Sequence, residues 1–140
     1  TLVGEDGAAA AWLILQHAIG NPSLQRRGLA LIDEAASRGE VALAHVAMLE
    51  DRIRVNEGRA QRYGTQFDWD RDGHLSPLPI DDARNVYALR AEVGLPPLAA
   101  DIRHKRQQMA EYGERPPADW EARQEEIRDW RRSTGWLDED

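Results

Sequence analysis

The residues best suited to chemistry include a dense polar segment near the middle of the chain. Residues 61–67 read QRYGTQF, in which two glutamines, an arginine, a tyrosine and a threonine surround Gly64. Upstream, the polar residues that interrupt apolar helical stripes are Gln16, His17, Gln25 and Asp51. Burying an amide, imidazole or carboxylate without a partner costs free energy, so such groups need a reason to be there. Their number favours a functional site over a core that serves stability alone.

These residue types favour acid/base chemistry on a polar ligand. Imidazole is the side chain that titrates near neutral pH, so His17 is the natural general acid/base. Asp51 would orient it or pair with an arginine, and Tyr63 would donate a proton or stabilise an oxyanion. The predicted catalytic residues are His17, Asp51 and Tyr63. The predicted substrate-binding residues are Gln16, Gln25, Arg52, Gln61, Arg62, Thr65 and Gln66.

Each of the upstream residues also has a structural interpretation. His17 can be a satisfied core histidine, and Gln25 can form a cap or an interhelix hydrogen bond. A buried Asp51 must meet an arginine or several N–H donors, because an isolated buried carboxylate is prohibitively costly. A closed core in which these groups satisfy one another would therefore argue against an enzyme.

Metal and covalent chemistry are not predicted. Residues 68–73, DWDRDG, match the first half of a calcium loop, but Pro79 occupies the position of its bidentate glutamate. The same residues suit a hairpin turn. The chain has no cysteine, its histidines lack the paired spacing of a zinc site, and no activated serine is evident. We expect no metal and no cofactor.

Composition narrows the class of protein. A chain of 140 residues corresponds to one domain. The net charge of −7 argues against nucleic-acid binding, which usually needs a basic face. No apolar run approaches the ~18 residues of a membrane span, so we expect no membrane partner. The lack of cysteine favours a cytoplasmic location. The chain begins at Thr1, so we expect that N-terminal residues are missing.

Hydrophobic periodicity and stop signals predict a mainly α protein. We expect a compact bundle of five to six helices with one short β-hairpin or extended insertion at about 61–80. The first helix is apolar on nearly all sides from Ala8 to Leu15, which favours a central position. Asp81 and Asp119 are suited to cap the fourth and sixth helices. Residues 1–98 would form the helical core with the site, and 99–140 a helical extension packed on it.

The last predicted helix carries a narrow apolar seam among many charges. Trp120, Ile127 and Trp130 form this seam, and Trp136 follows the helix. The seam would dock on the domain, or mediate a homodimer or another partner contact.

Three segments resemble a known family when taken in order. They are AAWLILQHA, LEDRIRVNEGRAQRYGTQF and PLPIDDARNVYALRAEVGLPPL. Together they resemble a bacterial family of uncharacterised proteins, catalogued as a domain of unknown function, over about Leu2 to Leu98. The resemblance supplies no reaction. It implies that the shared pattern contains Gln16, His17, Asp51, Arg52, Gln61, Tyr63, Gly64, Thr65 and Gln66.

Two functions of different kinds follow from these patterns. The first is a small cofactor-independent bacterial enzyme that uses acid/base chemistry on a polar or peptide-like substrate, by hydrolysis, elimination or cyclisation. Specialised metabolism is one setting for such an enzyme. The alternative is a non-catalytic module that binds a small molecule or another protein. A weaker third option is a structural protein whose polar core only fixes its packing.

Overall fold

The computed structural model describes residues 4–138, with six helices and one β-hairpin in that range. Within the first helix, the side chains of residues 4–6, 8, 9, 11 and 16 lie outside the description. The elements are α1 (Gly4–His17), α2 (Pro22–Ser37), α3 (Leu43–Asn56), β1 (Phe67–Trp69), β2 (Leu75–Pro77), α4 (Val86–Glu92), α5 (Leu98–Glu111) and α6 (Trp120–Ser133). The prediction of a mainly α fold with a short hairpin is confirmed.

The main apolar core lies where α2 packs against α1 and α3. Its buried members are Leu15, Ile32, Ala35, Val41, Val46, Leu49, Ile53 and Trp136. Gly28 allows α1 and α2 to approach closely, because a Cβ there would overlap the Leu15 side chain. The expectation that α1 is central was wrong, since Leu13 and Ile14 are 51% and 67% exposed. Among the described side chains of α1, Trp12 and Leu15 pack on the core, while Leu13 and Ile14 are exposed.

Capping side chains determine where two of the helices begin. The Asn21 side chain accepts a hydrogen bond from the Leu24 N–H at 3.0 Å, with Pro22 in the first turn of α2. Asp119 accepts from the Ala122 N–H at 3.0 Å, as predicted for α6. The prediction for Asp81 was wrong, because α4 begins only at Val86.

A backbone bridge explains why α4 starts late. The Asp81 N–H donates to the Gln61 carbonyl at 2.8 Å, and the Gln61 N–H donates to the Pro79 carbonyl at 2.9 Å. The chain is therefore held extended at Ile80 and passes through turns before α4. This bridge fixes the start of the 61–66 segment beside the end of the hairpin arm.

The hairpin turns at the aspartate-rich sequence, as predicted. Phe67 pairs with Pro77 and Trp69 with Leu75 in an antiparallel ladder. One carboxylate oxygen of Asp70 accepts from the backbone N–H groups of Asp72 at 3.0 Å and His74 at 2.8 Å. These two hydrogen bonds to Asp70 close the turn.

The C-terminal helices cover the hairpin and the core. Arg106 of α5 donates to the Leu75 carbonyl at 2.8 Å, and the Trp120 indole donates to the Trp69 carbonyl at 2.9 Å. Trp136 is 4% exposed and donates to the Ile19 carbonyl at 2.7 Å. No helix within residues 4–138 is long and apolar enough to cross a membrane.

The predicted partner seam is used within the molecule. Trp130 packs against the main core, and Ile127 lines a cavity that faces the hairpin arm. Arg71 lies over the Trp120 ring at 4.8 Å from its centroid. These contacts agree with the option that the seam docks on the domain. The three side chains are half-buried, and a partner contact through Trp120, Ile127 and Trp130 stays a prediction.

Candidate functional site

Asp51 lies at the centre of the predicted polar cluster and is completely buried. Helix α3 presents its carboxylate to the 61–66 segment. One oxygen accepts from the backbone N–H groups of Arg62 at 2.8 Å and Tyr63 at 3.0 Å. The other accepts from the Thr65 N–H at 3.1 Å and the Thr65 hydroxyl at 2.8 Å. Several N–H donors therefore satisfy the buried carboxylate, which was one of the two environments expected for it.

These contacts assign Asp51 a structural role in place of orienting His17. A carboxylate without exposed surface, surrounded by four donors, holds a loop to a helix and cannot reach a ligand. His17 lies apart from this cluster: it is exposed, and its Nδ1 lies 2.8 Å from the Leu13 carbonyl one turn earlier. No contact in the described part of the chain joins His17 to Asp51 or Tyr63.

The two glutamines of the segment satisfy backbone groups. Gln61 has no exposed surface, and its amide N–H₂ donates to the carbonyls of Gln66 and Leu78, each at 2.9 Å. Its amide oxygen accepts from the Gln66 N–H at 2.9 Å. The Gln66 side chain in turn donates to the Thr65 hydroxyl at 3.1 Å. Gln61, Thr65 and Gln66 thus hold the loop's shape rather than present free polar groups to a substrate.

Arg90 completes the loop's support from the opposite side. It is fully buried, and its guanidinium donates to the carbonyls of Pro96 at 2.8 Å and Tyr63 at 2.8 Å. It also forms an ion pair with Asp101 of α5 at 2.9 Å. We did not predict this residue as part of the site. The signal for it was present in the sequence. Arg90 is a polar residue one helical turn after the buried Val86, so it interrupts an apolar stripe.

Gly64 is required by the path of this loop. Its φ is +69°, in the left-handed region, and a Cβ would lie 3.1 Å from Ile80 and 3.2 Å from Leu98. Glycine adopts this backbone conformation without a steric penalty, so Gly64 permits the path. With Asp51 on one side and Arg90 on the other, the path fixes the position of the preceding residue, Tyr63.

Two of the remaining predicted binding residues lie elsewhere. Gln25 is fully buried and donates to the Leu15 carbonyl at 2.5 Å, so it forms the interhelix bond that was its structural interpretation. Arg52 is half-buried, and burial lowers its pKa. The side chain of Gln16 lies outside the described residues.

Tyr63 is the predicted catalytic residue that reaches a cavity. Its residue is only 7% exposed, yet it lines a cavity of about 480 Å³ between α2, α3 and the loop. No hydrogen bond of its hydroxyl occurs within the described residues. The charged residues lining the cavity are Arg26, Asp33, Glu50 and Arg62, and the apolar ones are Leu29, Ala30, Leu43, Val46, Ala47 and Val93.

Burial and charge set the chemical state of this phenol. Burial raises the pKa of Tyr63 above its usual 10, and the nearby Arg62 guanidinium opposes that rise. Because its folded pKa is raised, Tyr63 is protonated at neutral pH and acts as a hydrogen-bond donor. Arg62 lies over its ring at 5.3 Å and is 3.6 Å from Glu50, beyond hydrogen-bond length.

Metal coordination has no support in this part of the molecule. Within residues 4–138, considering the described side chains, no group of three or more histidine, aspartate or glutamate residues is placed to hold a metal ion.

Comparison with known proteins gives a family but no activity. No curated protein and no solved structure matches the chain. A family model described as a family of unknown function (DUF6624) matches residues 1–122, which extends beyond Leu98 through α5 and into α6. The match includes Asp51, the 61–66 loop, Arg90 and Asp101. The chain therefore belongs to the family of unknown function DUF6624.

Proposed function

We propose that the protein binds a small polar molecule carrying both charge signs, such as an amino acid or a short peptide, in the cavity beside Tyr63. One observation carries this function: a buried phenol with an unpaired hydroxyl lines a cavity with both cations and anions on its walls. A volume of about 480 Å³ lies within the range of small-molecule sites.

The available charges define the chemistry of the ligand. Arg62 is 44% exposed in its side chain and forms only a loose ion pair with Glu50 at 3.6 Å, so its guanidinium retains N–H groups that would bind a ligand carboxylate. Asp33 has no hydrogen bond or ion pair within the described residues and would bind an ammonium group. The Tyr63 hydroxyl would donate to a carbonyl or carboxylate between them. The apolar wall formed by α2 and α3 would accommodate a side chain.

The rigid loop supports this function physically. Asp51 and Arg90 hold the backbone on both sides of Tyr63, so little side-chain or loop entropy is lost when a ligand binds. In this view the polar residues of the 61–66 loop have two roles. Most of them form a support, and Tyr63 and Arg62 make the contacts with the ligand.

Replacing Tyr63 with Phe tests the binding site directly. Alanyl-alanine and the free amino acids serve as probes, and backbone amide shifts in ¹⁵N spectra report binding. Loss of one neutral hydrogen bond is worth about 0.5–1.5 kcal/mol, so affinity for the best probe is expected to fall about three- to tenfold. Tyr112→Phe removes the same hydroxyl from a side chain that is 77% exposed and should leave affinity unchanged.

Two results would count against this site. One is the absence of saturable shifts around the cavity with every probe. The other is equal affinity of the wild-type protein and Tyr63→Phe for a probe that does bind. Far-ultraviolet circular dichroism of both tyrosine variants separates loss of a contact from loss of the fold.

As a second candidate function we propose acid/base catalysis in the same cavity, because the cavity contains a proton donor. Tyr63, protonated at neutral pH, would be the general acid, and Glu50 the base. Hydrolysis of a dipeptide probe, followed by chromatography of the released amino acids, distinguishes this enzyme from a binding module. Glu50→Gln should abolish turnover while binding persists. Binding without turnover by the wild-type protein would leave only the binding function.

A further inference from the structure

A second cavity lies between the end of α3, the hairpin arm and α6. Its volume is about 250 Å³. The apolar residues on its walls include Val55, Leu78 and Ile127, and its polar residues are Arg59, Asp68, Gln124 and Arg131. None of these residues lines the cavity beside Tyr63.

Arg131 stands out among these groups because its charge is not matched. Its Nε atom is buried and has no hydrogen-bond partner among the residues that the structure describes. No hydrogen bond or ion pair of its guanidinium occurs within the described residues. Buried polar groups in folded proteins are nearly always hydrogen-bonded, and a charged one is especially costly to leave alone. Burial accordingly lowers the pKa of Arg131, although the Asp68 carboxylate partly opposes this effect.

The other charges around the cavity already have partners. Asp68 accepts two hydrogen bonds from Arg123, at 3.0 and 3.3 Å, and one from the Trp69 N–H at 2.8 Å. Arg59 donates to Glu57 at 3.2 Å. Arg131 is thus left as one uncompensated positive charge, and a ligand that neutralises it needs a single negative charge.

We propose that this cavity is a binding site for a small aliphatic carboxylate, which Arg131 holds through its Nε and a terminal nitrogen. A carboxylate matches the planar fork of a guanidinium with two parallel hydrogen bonds. Val55, Leu78 and Ile127 would contact the aliphatic part of the ligand. Gln124 would bond any further polar group.

Side-chain ¹⁵N spectra of arginine test this site through Arg131 itself. Sodium butyrate is titrated at constant ionic strength, and neutral butyramide of the same shape is the control ligand. The Arg131 Nε–H signal, identified by its loss in Arg131→Gln, should move saturably with butyrate and stay in place with butyramide. Arg131→Gln should weaken butyrate binding about tenfold or more.

A matched variant separates the site from general charge effects. Arg128→Gln removes the same charge from an exposed position on α6 and should bind butyrate like the wild-type protein. If Arg131→Gln does not fold, Arg131→Lys keeps the charge without the fork and should still weaken binding. Three outcomes would overturn the proposal: a non-saturating shift, equal shifts with butyramide, or a response to inorganic phosphate alone. The first of these would mean that only water satisfies Arg131.

Discussion

Replacing Asp51 with Asn is the sharpest test of how the polar loop is held. The two side chains have the same shape, so the change leaves no cavity. It turns one acceptor oxygen into an N–H₂ group and removes the negative charge. In the folded protein that carboxylate accepts from the backbone N–H groups of Arg62, Tyr63 and Thr65 and from the Thr65 hydroxyl.

The cost follows from counting these bonds. The remaining Asn oxygen can serve the Arg62 and Tyr63 N–H groups, but as a neutral acceptor it loses about 1 kcal/mol at each. The Thr65 N–H then faces another donor and is left unpaired, which costs about 1–3 kcal/mol. The Thr65 hydroxyl can rotate to accept. Burying a neutral amide is easier than burying a carboxylate, so the net loss is about 3 kcal/mol, a large part of the stability of a typical domain.

Urea unfolding followed by circular dichroism measures this loss. With a slope of about 2 kcal/mol per M, the midpoint should fall by about 1.5 M. Asp72→Asn is the matched control, because Asp72 is exposed and its carboxylate accepts no hydrogen bond within the described residues. That variant should unfold within about 0.3 M of the wild-type protein.

A stable or stabilised Asp51→Asn protein would refute this account. Acids retained for function commonly reduce stability, so their removal tends to raise the free energy of unfolding. An unchanged or higher midpoint would therefore return Asp51 to the catalytic role predicted for it. A lower midpoint together with an intact cavity at Tyr63 would support the structural role.

Two further predictions concern the loop's other support and the hairpin turn. Arg90→Lys should lower the free energy of unfolding by about 2–4 kcal/mol in urea, because one ammonium cannot reach Pro96, Tyr63 and Asp101 together; a change under about 0.5 kcal/mol would contradict this. The His74 N–H lowers the pKa of Asp70 below 3.8, so the ionised form stabilises the fold above that pH and this effect is lost as pH falls through the folded pKa. Urea midpoints of Asp70→Asn and the wild-type protein should thus differ at pH 7 and converge below pH 3.8, and an equal gap at pH 3 and pH 7 would refute the linkage.

Sequence patterns predicted most of the helices and the hairpin, because caps and stop residues act on their immediate neighbours in the chain. The Asp119 cap acts within one helical turn, so α6 begins where the sequence predicts. The start of α4 was missed for the opposite reason. The Asp81 N–H is taken by a bridge to Gln61, twenty residues away, and no local pattern reports such a bond.

The structure divides the predicted site residues into those that bond the 61–66 loop and those, such as His17, that lie apart from it. Asp51 was selected because it interrupts an apolar stripe, and the 61–66 loop because of its dense polar residues; the structure places the two in contact. These criteria could not distinguish a group that meets a ligand from one that meets the backbone. His17 was included because imidazoles suit acid/base chemistry, but its position at the exposed end of α1 depends on which side of α1 packs on α2.

The sequence by itself determined the helical class, the hairpin turn and the density of polar groups around Gly64. These depend on the conformational preferences of single residues and on periodicities within one element. Only the tertiary structure decided which polar groups satisfy one another and which remain open. Asp51 and Arg90 are both buried and hydrogen-bond the loop between them, whereas Tyr63 of that loop lines a cavity. That division depends on distances across the fold, which spacing along the chain does not specify.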